Sequence, residues 1–284
     1  MDKATMIQSA HNPVSTTFGP PLIFHPRTQH THTIVMLHGR GSTGPEFAGE
    51  LFESTTLTHE SLQDSLPGWR WVFPSAKELW STTFQEAMPA WFETTSSIDP
   101  SSRPESQMPL IQESVEHILQ ILQEESEMLR GRSEKVILGG ISQGGAVAMW
   151  TLLCRLIKGD KPLGGFVGIS TWLPFSADIR NSRDQKARLE NEKHAGIILV
   201  TLTALHNKLQ NEKAKPLFSQ LPIYIGHGND DAYVGIELGR DAADLLSTIG
   251  LEVEWNEYTG AEQEGHWIKV PEEVDDIIGF LRKI

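Results

Sequence analysis

The chain has 284 residues, 39% hydrophobic and 21% charged, enough for one sizeable core, so a single domain spanning 1–284 is expected. Its 24 Lys and Arg against 37 Asp and Glu give a formal charge of -13, which repels a phosphate backbone and an anionic surface alike and argues against nucleic acid as a partner. The first residues scatter Pro, Thr and His where a leader would carry a basic stretch and an apolar run, and no apolar run reaches roughly 18 residues, so neither secretion nor membrane insertion is expected.

In chain order, apolar runs at 33–37 and 70–73 read as strands, and Pro and Ser crowd 100–109 into an expected surface loop. Ile111, Val115, Ile118, Leu119 and Leu122 then repeat at helical spacing, with Gly131 able to end the helix. A strand at 135–138 and an apolar helical stretch at 149–157 follow. That stretch holds the only cysteine, Cys154, which reads as a buried, inert thiol and fits a reducing, cytoplasmic setting. After a strand at 165–169, residues 176–219 break the pattern with a charged run, an apolar run and a Lys-rich run. They read as a mostly helical insertion, either part of a lid or a solvated excursion with no functional role. Strands at 223–225 and 253–257 flank a helix through Leu238, Ala242, Leu245, Leu246 and Ile249 that stops at Gly250. The last helix has Pro271 near its first turn, Glu272 and Glu273 to complement the dipole, and Val274, Ile277, Ile278 and Leu281 as its buried stripe. Strands alternating with helices describe an α/β fold, a mostly parallel central sheet with helices on both faces.

Gly140-Ile141-Ser142-Gln143-Gly144 sits between a strand and a helix, where a strained turn exposes a nucleophile and small neighbours let the chain reverse. A serine hydroxyl needs a base, and the base needs an orienting acid. The expected order Ser, Asp, His is met: Asp230 and Asp231 lie in the loop after 223–225, and His266 lies in the loop after 253–257. Either aspartate suits the acid on these grounds. His227 precedes the acid in the chain and reads as a brace for its loop rather than the base. For the oxyanion, the backbone N–H groups of Gln143 and of Arg40, in the Gly-rich loop Leu37-His38-Gly39-Arg40-Gly41, are the expected donors. That loop lacks the Gly-Lys-Ser/Thr ending of a phosphate-binding loop, and the 11 histidines show no metal-ligand spacing, so no metal or other cofactor is expected. This constellation suits hydrolysis of a carboxylic ester or thioester through an acyl-enzyme; an acyltransferase with the same triad and a non-catalytic binding protein are the alternatives.

Six segments in order, Leu37-His38-Gly39-x-Gly41, Ala87-Met88-Pro89-x-Trp91-Phe92, Gly140-Ile141-Ser142-Gln143-Gly144-Gly145, Ser170-x-Trp172-Leu173-Pro174, His227-Gly228-x-x-Asp231 and Gly265-His266, resemble the acyl-protein thioesterase and carboxylesterase family of α/β hydrolases. The resemblance implies the α/β-hydrolase fold, assigns the acid to Asp231, and matches the oxyanion positions to Arg40 and Gln143. It also implies that Trp91, Phe92, Trp172 and Leu173 wall an acyl pocket, unless they are ordinary core residues. Small acyl esters, thioesters or acylated proteins are the substrates it suggests. Two departures stand out: the long segment 176–219, and Arg40 where those thioesterases commonly have Leu.

Overall fold

The computed structural model describes residues 17–94, 104–180, 196–209 and 221–284. Its main sheet comprises β1 (Leu22–Phe24), β2 (His32–Leu37), β3 (Trp69–Phe73), β6 (Val136–Ile141), β7 (Gly165–Ile169), β8 (Pro222–Gly228) and β9 (Glu252–Tyr258); β4 (Glu78–Ser81) and β5 (Glu86–Pro89) form a separate antiparallel hairpin. In β2, Ile34 and Met36 join one core while Val35 and Leu37 join the other, and in β6 Val136 and Leu138 oppose Ile137 and Ile141. Strands apolar on both faces need cover on both, which the crossover helices of a parallel sheet supply. The spatial order is β1-β3-β2-β6-β7-β8-β9, parallel throughout except for the antiparallel edge pair β1–β3.

The helices are α1 (Gly44–Glu53), α2 (Leu62–Ser65), α3 (Pro104–Met128), α4 (Ser142–Lys158), α5 (Ser176–Arg180), α6 (Ile197–Leu209), α7 (Ile236–Thr248) and α8 (Glu272–Leu281). α1 and α8 cover one face through Phe47, Leu51, Val274 and Ile277. On the other face α3, α4, α6 and α7 contribute Ile111, Leu152, Leu202 and Leu245. This two-sided cover is that of an α/β fold with a mostly parallel central sheet, as expected.

The structure changes one local expectation and adds to others. Residues 100–109 were expected as loop, yet α3 begins at Pro104 and runs through Pro109. Proline's fixed φ suits a first turn, and Pro109, close to the start, forfeits only a single hydrogen bond. The helix ends at Met128, and Gly131, with φ of 74°, closes the turn that follows, its N–H donating to the Ser126 carbonyl at 2.8 Å. Glu273, expected as a first-turn acid that complements the helix dipole, does lie in the first turn of α8, but it is 2% exposed. Finally, the described parts of the 176–219 segment are helical and pack behind the sheet: Ile198, Leu202 and Leu205 of α6 enter the core shared with α4, and His206 Nδ1 donates to the Ile179 carbonyl at 2.9 Å.

Cys154 is 1% exposed, faces Thr201 of α6, and burial pushes its thiol up to about 12. Because the thiolate is the reactive form, folded protein is expected to resist iodoacetamide at mildly alkaline pH and to react once denatured. Rapid alkylation of the native chain, followed by mass spectrometry, would contradict this packing.

Candidate active site

Ser142 sits between the last residue of β6 and the first turn of α4 with φ of 53°, a left-handed conformation that a non-glycine residue adopts only when its surroundings force it. The chain can turn there because Gly144 has no side chain: a Cβ would lie 2.3 Å from the His38 carbonyl oxygen and 2.4 Å from that of Leu37. Thr171 Oγ1 donates to the Ser142 carbonyl at 2.8 Å and holds the turn from the β7 side.

The acid and base come from loops after β8 and β9. His266 Nδ1 donates to Asp231 Oδ2 at 2.7 Å. A carboxylate only accepts, so the proton resides on Nδ1 and Nε2 is left as the basic nitrogen. The other carboxylate oxygen, Oδ1, accepts from the N–H groups of Tyr233 at 2.8 Å and Val234 at 2.9 Å. Burial opposes ionisation of Asp231, but hydrogen bonds from His227 and His266, the His266 charge and the Val234 amide outweigh it and hold the carboxyl well below the usual carboxylate range. Asp230, the other candidate, instead accepts from Gly260 N–H at 2.9 Å. His227 is wholly buried; its Nε2 donates to the Val234 carbonyl at 2.8 Å and lies 3.4 Å from Asp231 Oδ2, bracing the acid's loop.

The two loops meet main chain to main chain. A Cβ on Gly228 would fall 2.1 Å from the Gly265 carbonyl oxygen, and one on Gly265 2.7 Å from the Asp230 carbonyl. Ala232 N–H donates to the Glu264 carbonyl at 3.1 Å across the same seam, and Gln263, Glu264 and Gly265 all have positive φ as the chain coils tightly up to His266.

On the opposite side, His38 fixes the loop that carries Arg40. Its Nε2 accepts from Ala76 N–H at 2.9 Å and its Nδ1 donates to the Gly39 carbonyl at 2.7 Å. Burial lowers His38 to about 4, so the ring stays neutral and can play both parts. In a trans peptide the carbonyl and the following N–H point opposite ways, so drawing the Gly39 carbonyl toward His38 turns the Arg40 N–H away from it. That amide has no main-chain partner among the described residues, and the Gln143 amide lies in the first turn of α4, where N–H groups lack intrahelical acceptors.

Ser142, His266, Arg40 and Gln143 all line one cleft of about 900 Å³ at the carboxyl ends of the strands, with apolar walls from Phe47, Phe84, Met88, Trp172 and Trp267. None of the described residues of 176–219 lines it. Of the four residues expected at the acyl wall, Trp172 is there, whereas Trp91, Phe92 and Leu173 are buried in the core. The reason is that the Trp91–Thr94 segment frames the site through its backbone. Trp91 N–H donates to Gln143 Oε1 at 2.9 Å, Gln143 Nε2 donates to the Phe92 carbonyl at 2.7 Å, and Trp91 Nε1 donates to the His38 carbonyl at 2.9 Å. Sequence reasoning missed this frame, although Gln143 beside the nucleophile, a long amide at an otherwise small-residue turn, was a signal that its side chain had work elsewhere. Among the described residues no group of three or more His, Cys, Asp or Glu side chains could hold a metal ion, and no helix is long and apolar enough to cross a membrane.

Residues 19–191 match the sequence signature of the Phospholipase/Carboxylesterase family. Over 270 residues, 93% of this chain and 94% of the relative, the sequence is 29% identical to acyl-protein thioesterase 1 of Gibberella zeae. Carboxylesterase SOBER1 of Arabidopsis thaliana is 28% identical over 238 residues, 80% of this chain and 81% of its own. The crystal structure of Zea mays acyl-protein thioesterase 2 aligns with a TM-score of 0.63 at 23% identity, covering 93% of this chain and 98% of that one, a likeness of fold. The signature spans well over half of the sequence, and the chain belongs to the phospholipase/carboxylesterase family.

Proposed function

We propose that the protein hydrolyses carboxylic esters or thioesters through a covalent acyl-enzyme on Ser142. The observation that carries this reading is the 2.7 Å bond from His266 Nδ1 to Asp231 in a cleft that Ser142 shares. His266 Nε2 takes the Ser142 proton as Oγ attacks the carbonyl carbon, and the carbonyl oxygen, now negative, is received by the Arg40 and Gln143 amides. Collapse expels the alcohol or thiol, protonated by the imidazolium; water then enters, loses a proton to His266 and releases the acid, regenerating Ser142. Asp231 holds the tautomer and stabilises the imidazolium without taking a proton. One oxyanion donor is worth on the order of 3 kcal/mol in such sites, so each of the two amides contributes substantially beside the base.

The apolar walls suit an acyl chain, and relatives named acyl-protein thioesterase and carboxylesterase fit a substrate that is an acylated protein or a small acyl ester. A reducing compartment such as the cytoplasm suits the single buried cysteine. A fluorophosphonate probe is expected to modify Ser142 alone, and the labelled enzyme to lose hydrolysis of a short-chain nitrophenyl ester and an acyl thioester together. Label on another residue, or passage of the acyl group from Ser142 to an added alcohol in preference to water, would overturn this reading.

A further inference from the structure

The β4–β5 hairpin stands apart from the main sheet, and its tip residue Phe84 reaches the cleft while remaining 60% exposed. A two-stranded ribbon of this size is marginal by itself, so what fastens it matters. One tie is Glu93, which accepts from Thr82 Oγ1 at 2.7 Å, and another is Gly41 N–H, which donates to the Pro89 carbonyl at 2.8 Å. The third is the Arg40 side chain. Its Nη2 donates to Ser81 Oγ at 2.8 Å, its Nη1 donates to the Thr94 carbonyl at 3.1 Å, and its guanidinium lies 5.4 Å from the centre of the Phe84 ring. Ser81 Oγ also accepts the Phe84 N–H at 3.0 Å, so one hydroxyl both closes the hairpin tip and receives the guanidinium. Among the described residues Arg40 forms no ion pair. Both acceptors are neutral, and reaching them together requires a planar fork that a lysine lacks.

We propose that Arg40 is a positioning residue whose guanidinium locks the hairpin and the Trp91–Thr94 segment to the loop that carries its own backbone amide. The proposal rests on the hydrolase reading above, in which that amide receives the oxyanion. Gln143, the other donor residue, grips the same segment through its side chain: Nε2 lies 3.2 Å from Thr94 Oγ1. The two amides are thereby held at a fixed separation through Thr94, and the Arg40 side chain supplies one of the two grips. Loosening that grip leaves both amides present but misplaced, which lowers turnover more than ground-state binding.

The test uses full-length wild type, Arg40→Leu, Arg40→Lys and Ser81→Ala with two nitrophenyl esters of equal chain length, one neutral and one ending in a carboxylate. Arg40→Leu is expected to lower kcat roughly tenfold on both esters with KM within about twofold. Arg40→Lys should not restore kcat, Ser81→Ala should lose part of it, and deuterium uptake across 81–85 should rise in Arg40→Leu and Ser81→Ala. Unchanged kcat in Arg40→Leu, full rescue by lysine, or a loss confined to the carboxylate ester would each overturn the proposal, the last by making Arg40 a reader of substrate charge. Should Arg40→Leu fail to fold, Ser81→Ala decides alone: it must lower kcat and raise uptake. Wild type that neither turns over either ester nor accepts the fluorophosphonate sinks the hydrolase reading itself.

Discussion

Asp231→Asn is expected to lower kcat by about four orders of magnitude while the protein stays folded, the loss seen when the equivalent change reverses a triad histidine's tautomer. The hydrogen bonds around this carboxylate make the outcome specific. Oδ1 accepts two backbone N–H groups and Oδ2 accepts the His266 Nδ1–H, so every neighbour is a donor. An asparagine must place its one carbonyl oxygen on the side of the two amides, because turning its NH2 there would set donors against donors. Its NH2 then faces His266, where it can donate only if Nδ1 loses its hydrogen. The proton moves to Nε2, and the base has nothing with which to accept from Ser142. Steady-state kinetics beside a urea unfolding curve would check this; a kcat within tenfold of wild type, with the fold intact, would remove Asp231 from the mechanism.

The largest effect on stability is expected at Glu273. Burial pushes this carboxyl up to about 8; its bond from the Lys269 amide, 2.9 Å to Oε2, pulls the other way, and the nearby Asp276 charge adds to the rise. Its Oε1 has no partner among the described residues, and β8 passes so close that a Cβ on Gly226 would lie 2.0 Å from that oxygen. Around it, Tyr224 and Tyr258 hydroxyls are linked at 2.7 Å, and Tyr258 donates to Asp276 at 2.6 Å. No cation is among the groups that shift it. The folded carboxyl therefore keeps its proton where the unfolded chain releases it. Stability on this account is full below the unfolded value of 4.5 and falls as pH rises toward about 8, by on the order of a few kcal/mol across the window. Glu273→Gln keeps the shape without the ionisation, and is expected to flatten that fall and to be the more stable protein at mildly alkaline pH. Urea midpoints measured across the window decide it: parallel curves for the two proteins would exclude a neutral buried Glu273.

What could be read from the sequence was what local sterics and chain order enforce. The elbow at Ser142 was legible because a strand turns into a helix there beside small residues, and His266 and the Asp230-Asp231 pair because each lies in a loop that follows a recognisable strand; the choice of Asp231 came from the family resemblance. Their roles remain to be measured, while their convergence in one cleft is observed. The short β4–β5 hairpin was not legible: Glu78–Ser81 and Glu86–Pro89 mix charged, polar and apolar residues without a two-residue period. Trp91 and Phe92 misled because aromatic character says that a side chain is hidden, not whether a core or a ligand hides it. Much of their contribution runs through the Trp91 N–H and the Phe92 carbonyl, backbone atoms that every residue type shares, with the Trp91 indole N–H on the His38 carbonyl as the side-chain exception. The clamp from Arg40 to Thr94 spans 54 positions, beyond any local pattern. The burial of Glu273 was missed for a different reason. It stands four residues before Ile277, on the apolar stripe, and the attraction of a carboxylate to a helix start masked that periodicity.

The glycine seam at Gly228 and Gly265 also bears on how the molecule should behave when warmed. Backbone pressed against backbone leaves the two loops no side-chain cushion through which they could drift apart gradually. Warming is expected to part the loops by opening both at once, so the enzymatic rate should keep climbing until that cooperative event and then drop sharply.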